Sequence, residues 1–88
     1  MSYRVVVSEQ VKTLLEELHR DERKRSRELA LLLLRLEKEA RPEDSRRLTG
    51  SEAQSAMEER VWEPAGFRIA YRVTDAKRLV EVGIVTES

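Results

Sequence analysis

Arginine is the residue type in this sequence whose chemistry and spacing point most directly to a functional site. Arg68 and Arg72 alternate with apolar residues in one predicted strand, and Arg60 lies in the strand before it. Arg46 and Arg47 stand side by side in the loop that leads to these strands. A guanidinium group binds phosphate through paired hydrogen bonds and can stabilise the charge on a phosphate that is being transferred. These five arginines could therefore together hold an RNA backbone and stabilise charge on its phosphate.

The strand arginines have an alternative role inside a sheet. Glu59, Glu63 and Glu81 fall in neighbouring predicted strands, and opposite charges on adjacent strands stabilise a sheet. Arg68 and Arg72 can therefore either contact a ligand or pair with these carboxylates. The sequence leaves both roles open.

The composition argues against several other kinds of site. The chain has no cysteine and a single histidine, His19, which excludes a zinc knuckle, a disulfide framework and thiol catalysis. One histidine beside several serines does not indicate a catalytic triad. The three glycines lie far apart, unlike those of a phosphate-binding loop. We expect no metal and no cofactor.

The pattern of apolar residues predicts the element order β-α-α-β-β-β. Alternation with a period of two predicts strands, and apolar residues spaced three and four apart predict helices. The predicted strands are 3–7, 57–63, 67–74 and 79–86, and the predicted helices lie between Ser8 and about residue 40. Helices and strands that segregate along the chain are typical of the α+β class. We expect a four-stranded, antiparallel-rich sheet with both helices packed on one face.

The strand over residues 67–74 determines which side chains face outward. Phe67, Ile69, Tyr71 and Val73 share one side of this strand, so helices covering that side leave Arg68 and Arg72 facing the other way. In the last strand, Val80, Val82 and Ile84 are expected to share a face.

The second helix has apolar residues on two sides. Leu31 and Leu34 lie opposite the stripe that is expected to pack on the sheet. We interpret Leu31, Leu34 and the nearby Arg27 as a partner interface, used either by a homodimer or by another protein. The alternative is two tolerated surface leucines. Arg27 also belongs to a basic cluster at the helix junction, which is either a solvated helix face or a docking surface for phosphate or an acidic partner.

The length and net charge of the chain bear on the number of domains, on nucleic-acid binding and on location. The chain has 88 residues, with 17 basic and 17 acidic side chains and no formal net charge. This length predicts one domain over residues 1–88. Zero net charge removes the general electrostatic argument for nucleic-acid binding. Because no apolar run is long enough to span a bilayer, we expect a cytoplasmic protein with no membrane partner.

The segment from Gly66 to Val73 resembles a short signature of a known family. It reads Gly-Phe-Arg-Ile-Ala-Tyr-Arg-Val, close to the pattern G-[YF]-R-hydrophobic-x-Y-x-V of the RelE/ParE toxin superfamily. Leu48-Thr49-Gly50 is similar to that family's L-x-G segment before the hairpin. The element order agrees over nearly the whole chain.

The resemblance implies the toxin of a type II toxin–antitoxin pair. RelE-like members cut messenger RNA on the ribosome without a metal, and ParE-like members poison DNA gyrase. Members of both kinds are neutralised by a cognate antitoxin that wraps the toxin. Among the arginines of this chain, the resemblance carries the phosphate-binding role to Arg68 first. On that basis we take Arg68 and Arg60 as candidate catalytic residues. The candidate RNA contacts are Arg46, Arg47 and Arg72.

The sequence also departs from the family. RelE-like enzymes usually have a basic residue and a Tyr or His after the last strand, and nothing here through Ser88 corresponds to them. The position before the hairpin turn is Glu63 or Arg60, depending on the length of the hairpin. We therefore expect either a RelE-like endoribonuclease with a divergent or weakened site, or a non-catalytic module of the same fold that acts on a protein or forms a homodimer.

Overall fold

The fold is a mixed sheet with two helices on one face, and its elements begin and end close to where the apolar patterns do. The computed structural model describes residues 2–48 and 57–87. Thr49 and Gly50 of the predicted L-x-G segment lie outside these residues. The elements are β1 (Arg4–Val7), α1 (Glu9–Asp21), α2 (Arg23–Lys38), β2 (Arg46–Arg47), β3 (Met57–Trp62), β4 (Phe67–Thr74), a short 3-10 turn (Asp75–Lys77) and β5 (Leu79–Glu87).

Within the described residues the sheet has five strands in the order β1-β5-β4-β3-β2. β1 runs parallel to β5, and the other neighbours are antiparallel. The expected α+β class and the helices on one face are confirmed, but the expected number of four strands is wrong. The additional strand is β2, whose two arginines pair with β3. A strand of two residues has no alternation to detect, so the sequence predicted a loop there.

The core lies between β3, β4, β5 and the two helices. Phe67, Ile69, Tyr71 and Val73 are all buried, while the residues between them in β4 are exposed or half-buried. Leu29 and Leu36 of α2 are fully buried on the other side of this core. Burying a side chain of this size stabilises the fold by about 1.5–3 kcal/mol. The alternation of β4 therefore fixes which face of the sheet the helices cover.

A bulge in β5 changes which side chains of that strand reach the core. Ala70 pairs with Ile84 while Tyr71 pairs with Val82, so Gly83 has no partner opposite it in β4. Val82 and Val85 are buried, and Ile84 is 56% exposed. The expectation that Ile84 shares a face with Val82 is therefore wrong. One extra residue reverses the side-chain alternation of a strand.

Side chains at the start of α1 bind the backbone of β5 beyond the end of β1. Ser8 caps the helix as predicted, accepting a hydrogen bond from Val11 N at 3.4 Å, and its hydroxyl donates to Gly83 O at 2.6 Å. The Gln10 amide donates to Val85 O at 2.9 Å and accepts from Val85 N at 3.0 Å. These bonds satisfy backbone groups that would otherwise form an open edge.

The bulge can be tested by substituting the two residues that it separates. Val85→Asn should lower the free energy of unfolding by roughly 3 kcal/mol, because it removes buried apolar surface and places an amide in the core. Ile84→Asn should cost less than about 1 kcal/mol, since Ile84 faces away from the helices. Urea denaturation of both variants measures the difference. Equal losses, or a larger loss for Ile84→Asn, would contradict the bulge.

Candidate functional site

The face of the sheet that the helices leave uncovered is the candidate site, and we call it the open face. Its members follow from the strand register, because directly paired residues point to the same side of a sheet. The charged and apolar side chains on this face include Arg4, Val6, Arg46, Glu59, Arg68, Arg72, Glu81 and Ile84. It therefore carries both signs of charge around an apolar centre.

Arg68 is an exposed cation of the open face. It is paired in register with Thr86 of β5. It forms no hydrogen bond or ion pair with any residue in the described ranges 2–48 and 57–87. A guanidinium that is free in this way can receive a phosphate without first breaking an internal contact.

The turn just before Arg68 is held by an arginine of α2. Ala65 and Gly66 adopt positive φ angles of 50° and 82°. Arg25 donates from Nη1 to Ala65 O at 2.9 Å, and its guanidinium lies 3.9 Å from the centre of the Phe67 ring. The same Nη1 also bonds Glu28 at 2.8 Å. Arg25 therefore anchors the start of β4 to the helix layer and positions the backbone that carries Arg68.

Arg72 lies between two carboxylates. Glu59 of β3 and Glu81 of β5 are its register partners on either side. Neither forms an ion pair with Arg72 among the described residues, and Arg72 Nη1 lies 3.8 Å from the sulfur of Met57. The register therefore places Arg72 beside two carboxylates, as the cross-strand alternative predicts. No ion pair joins them among the described residues. Two negative charges beside it make Arg72 a poorer site for a phosphate than Arg68.

Arg46 and Arg47 point to opposite sides of β2. Arg46 is paired in register with Val61, on the open face, and its Nη1 lies 3.8 Å from Glu63. Arg47 is in register with Arg60, so its side chain leaves the strand on the helix side at the edge of the sheet. Of these two predicted RNA contacts, Arg46 is the one that shares a face with Arg68.

Arg60 is not on the open face, and this orientation corrects the expectation that it acts beside Arg68. Its register partner is Tyr71, which belongs to the core side. Its guanidinium bonds Glu58 and donates to Ser45 Oγ at 2.9 Å and to Ser45 O at 3.2 Å. Arg60 thus holds the segment after α2 against β3. The side of β3 is set by Trp62, which is fully buried and points the same way as Arg60.

A second cluster of charges at the end of α2 was missed by sequence reasoning. Arg41 bonds Asp75 through both guanidinium arms, at 3.2 and 2.9 Å, and lies 3.1 Å from Glu58. The Tyr3 hydroxyl donates to the same Asp75 carboxylate at 2.5 Å. These residues are distant in the chain and have no characteristic spacing. The cluster ties β1, the end of α2, β3 and the 3-10 turn together.

The contacts in this cluster shift the pKa values of its acids. Hydrogen bonds from Arg41 and then Tyr3 lower the pKa of Asp75. Burial pushes the pKa of Glu58 upward, but hydrogen bonds from Arg60 and Arg41 outweigh it, so the pKa is lowered overall. Nearby, burial raises the pKa of Tyr71, whose hydroxyl donates to Ala40 O at 2.9 Å.

The centre of the open face is concave. A concavity of about 390 Å³ lies over Ala70 and Gly83, and apolar side chains from Val6, Leu48 and Ile84 contribute to its lining. Its charged lining includes Glu59, Glu81 and Arg72. This arrangement of an apolar floor with a mixed-charge rim suits a peptide segment as well as it suits a nucleotide.

The predicted partner residues of α2 lie outside the open face. Leu31 and Leu34 are 60% and 57% exposed, and Arg27 is exposed beside them without an ion pair among the described residues. They lie on the side of α2 away from the sheet, as the sequence predicts.

The residues that the structure describes contain no group of three or more histidine, cysteine, aspartate and glutamate side chains placed to hold a metal ion. None of their helices has the length and apolar character needed to cross a membrane.

Comparison with known proteins gives a match in structure and none in sequence. No family model matches the chain, and no curated protein matches it significantly. The fold is similar to a chain in the crystal structure of the archaeal RelE-RelB complex from Pyrococcus horikoshii OT3, with a TM-score of 0.80 and 21% identity. The match covers 99% of this chain and 96% of that chain. The chain therefore has a RelE-like fold, which confirms the fold that the Gly-Phe-Arg segment predicted.

The charge cluster at Arg41 predicts acid sensitivity. Asp75 and Glu58 have lower pKa values in the native state than their ordinary values of about 4. Their contribution to stability is therefore complete above about pH 4 and is lost as the pH falls through the lowered native values. Urea midpoints of the wild type should decrease over this range.

Arg41→Met should reduce that dependence on pH, because it removes the cation that both carboxylates face. Arg68→Met is the matched control, since Arg68 contacts neither acid. This variant should leave the change of the urea midpoint with pH as it is in the wild type. If the urea midpoints of the wild type and of Arg41→Met decrease equally with falling pH, the cluster does not control acid stability.

Proposed function

We propose that this chain is the RelE-type toxin of a toxin–antitoxin pair and that its open face contacts messenger RNA on the ribosome. The RelE-like fold over nearly the whole chain supports this class. The protein with the similar fold is part of a RelE–RelB complex, which supports a cognate antitoxin as the partner of this chain. The single observation that carries the RNA-directed part is the exposed guanidinium of Arg68, which has no hydrogen-bond or ion-pair partner among residues 2–48 and 57–87.

Arg68 has the chemistry that phosphoryl transfer requires. In the proposed reaction the ribose 2′ oxygen attacks the adjacent phosphorus, and the bond from phosphorus to the 5′ oxygen breaks. The phosphate gains negative charge in the transition state, and a guanidinium fixed beside it stabilises that charge. Arg46 and Arg72 lie on the same face and would position the strand. Arg60 has no part in this proposal, because its guanidinium is held by Glu58 and Ser45.

The contribution of Arg68 can be measured by primer extension on translated messages. Codon-linked cuts should appear with the wild type and fall by about 100-fold or more with Arg68→Ala, the usual effect of removing one transition-state donor. Lys77→Ala is the control, because Lys77 is an exposed cation of the 3-10 turn. Equal cutting by Arg68→Ala, or no cuts at any amount of wild-type protein, would refute the RNA-directed function.

A second candidate is a ParE-like inhibitor of a protein target. The observation that favours it is the pair of carboxylates beside Arg72 over an apolar concavity, since such a surface repels a polyanion and accepts a peptide. Inhibition of DNA supercoiling by purified gyrase, with no cleavage of messages, would select this candidate. Cleavage with no effect on gyrase would exclude it.

A further inference from the structure

Arg25 of α2 holds β4 and β5 together at the level of Arg68. Its guanidinium lies 3.9 Å from the centre of the Phe67 ring in β4, and its Nε donates to the Glu87 carboxylate in β5 at 3.4 Å. Phe67 and Glu87 are register partners, and the next pair along the two strands is Arg68 with Thr86. One guanidinium on the helix side therefore fixes both strands directly beside the pair that contains Arg68.

The same guanidinium fixes the backbone of the turn before β4. Ala65 and Gly66 have positive φ angles of 50° and 82°, and this region is unfavourable for a residue other than glycine. Arg25 donates from Nη1 to Ala65 O at 2.9 Å and from Nη2 to Gly66 O at 3.5 Å. A bond from Phe67 N to Pro64 O at 2.9 Å closes the turn. Contacts with the helix layer thus maintain a backbone conformation that is unfavourable by itself.

The approach of Arg25 also accounts for the glycine at position 66. A Cβ atom on Gly66 would lie 3.3 Å from Arg25 Nη2, and its φ angle disfavours any side chain there. Gly66 therefore leaves room for the guanidinium, which packs on the ring of Phe67. The side chain of the next residue, Arg68, leaves β4 on the opposite face. The Gly-Phe-Arg segment and Arg25 form one structural unit.

These contacts distinguish Arg25 from an ordinary cation on a helix surface. Its ion pair with Glu28, three residues along α2, contributes little to stability by itself. However, the Arg25 side chain is only 24% exposed, because it packs against the turn as well. Arg35 of the same helix is 54% exposed, pairs with Glu39 at 3.3 Å and lies 5.4 Å from the Trp62 ring. Arg35 has no hydrogen bond to the turn or to β5 among the described residues, so it provides a matched control.

We propose that Arg25 is a positioning residue of the candidate site, which acts on a bound phosphate only through Arg68. Arg25 lies on the helix side of the sheet and Arg68 on the open face, so a phosphate held by Arg68 does not touch Arg25. A cation stabilises the transition state when it is fixed where the negative charge develops. Arg25 supplies that fixation by holding the turn and both strands. The inference rests on the proposed function, because it requires that Arg68 contact the phosphate.

Primer extension on translated messages over a series of protein concentrations tests this role. Arg25→Met should slow cleavage at saturating protein by about 10- to 100-fold, the loss expected when a reacting group is displaced. The protein concentration that gives half the maximal rate should change by less than about twofold, because binding before the reaction is retained. Arg35→Met removes the same charge elsewhere on α2 and should cut at the wild-type rate.

Two further variants separate positioning from other roles. In the Arg68→Ala background, Arg25→Met should lower the residual rate by less than about twofold, since the group that it positions is already absent. A general loss of structure would instead multiply the two effects. Arg25→Lys keeps the charge but loses the planar fork of donors, so it should cut as slowly as Arg25→Met. A general attraction for RNA would be restored by the lysine.

Hydrogen exchange measures the turn in the absence of RNA. The Phe67 amide, which is bonded to Pro64 O, should exchange about tenfold faster in Arg25→Met and in Arg25→Lys than in the wild type, because the turn opens more often. Exchange in Arg35→Met should equal that of the wild type. Circular dichroism confirms that the variants are folded, and Arg25→Lys provides the comparison if Arg25→Met does not fold.

Four results would overturn the inference and leave the proposed function intact. They are wild-type cleavage by Arg25→Met, restoration of cleavage by Arg25→Lys, multiplied losses in the double variant with Arg68→Ala, and unchanged exchange of the Phe67 amide. The absence of cleavage by the wild type is a different result. It would refute the proposed function and, with it, the role of Arg25.

Discussion

The packing of one side of β4 against the helices is the constraint on which the rest of the structure depends. Four large residues of this strand are buried on the same side, and a shift of one residue would expose all of them to water. That cost fixes the register of β4 with β3 and β5. It also directs Arg68 away from the helices. The orientation of the candidate functional group is therefore a consequence of apolar burial and not of any contact that the guanidinium makes.

The chain has no formal net charge, but only some of its arginines are paired with a carboxylate. On the helix side, Arg41 and Arg60 are bound to carboxylates and stabilise the segment between α2 and the sheet. Arg25 does the same for the turn before β4. Arg68 has no such partner among the described residues. The paired arginines contribute to the fold, and Arg68 remains accessible to another molecule on the open face.

The sequence predicts those features that depend on local patterns. The alternation of β4, the cap at Ser8 and the exposed leucines of α2 are each visible within a few residues, and the structure contains all three. The side of β3 on which Arg60 lies follows from its pairing with Tyr71 across the hairpin, and the sequence left the length of that hairpin open. The bulge had one local signal, because an isolated glycine inside a strand, here Gly83, indicates a bulge. The contacts of Arg41 with Asp75 depend on tertiary packing between residues far apart in the chain, and no short-range signal exists for them.

The most direct test of this account is cysteine scanning along β4. The chain has no cysteine, so a single substituted thiol reports on its own position. Positions 68 and 72 should react with a maleimide reagent under native conditions at close to the rate of the unfolded chain, whereas positions 69 and 73 should be strongly protected. Uniform reactivity along the strand, or protection at position 68 with rapid labelling at position 69, would show that the helices do not cover the side described here.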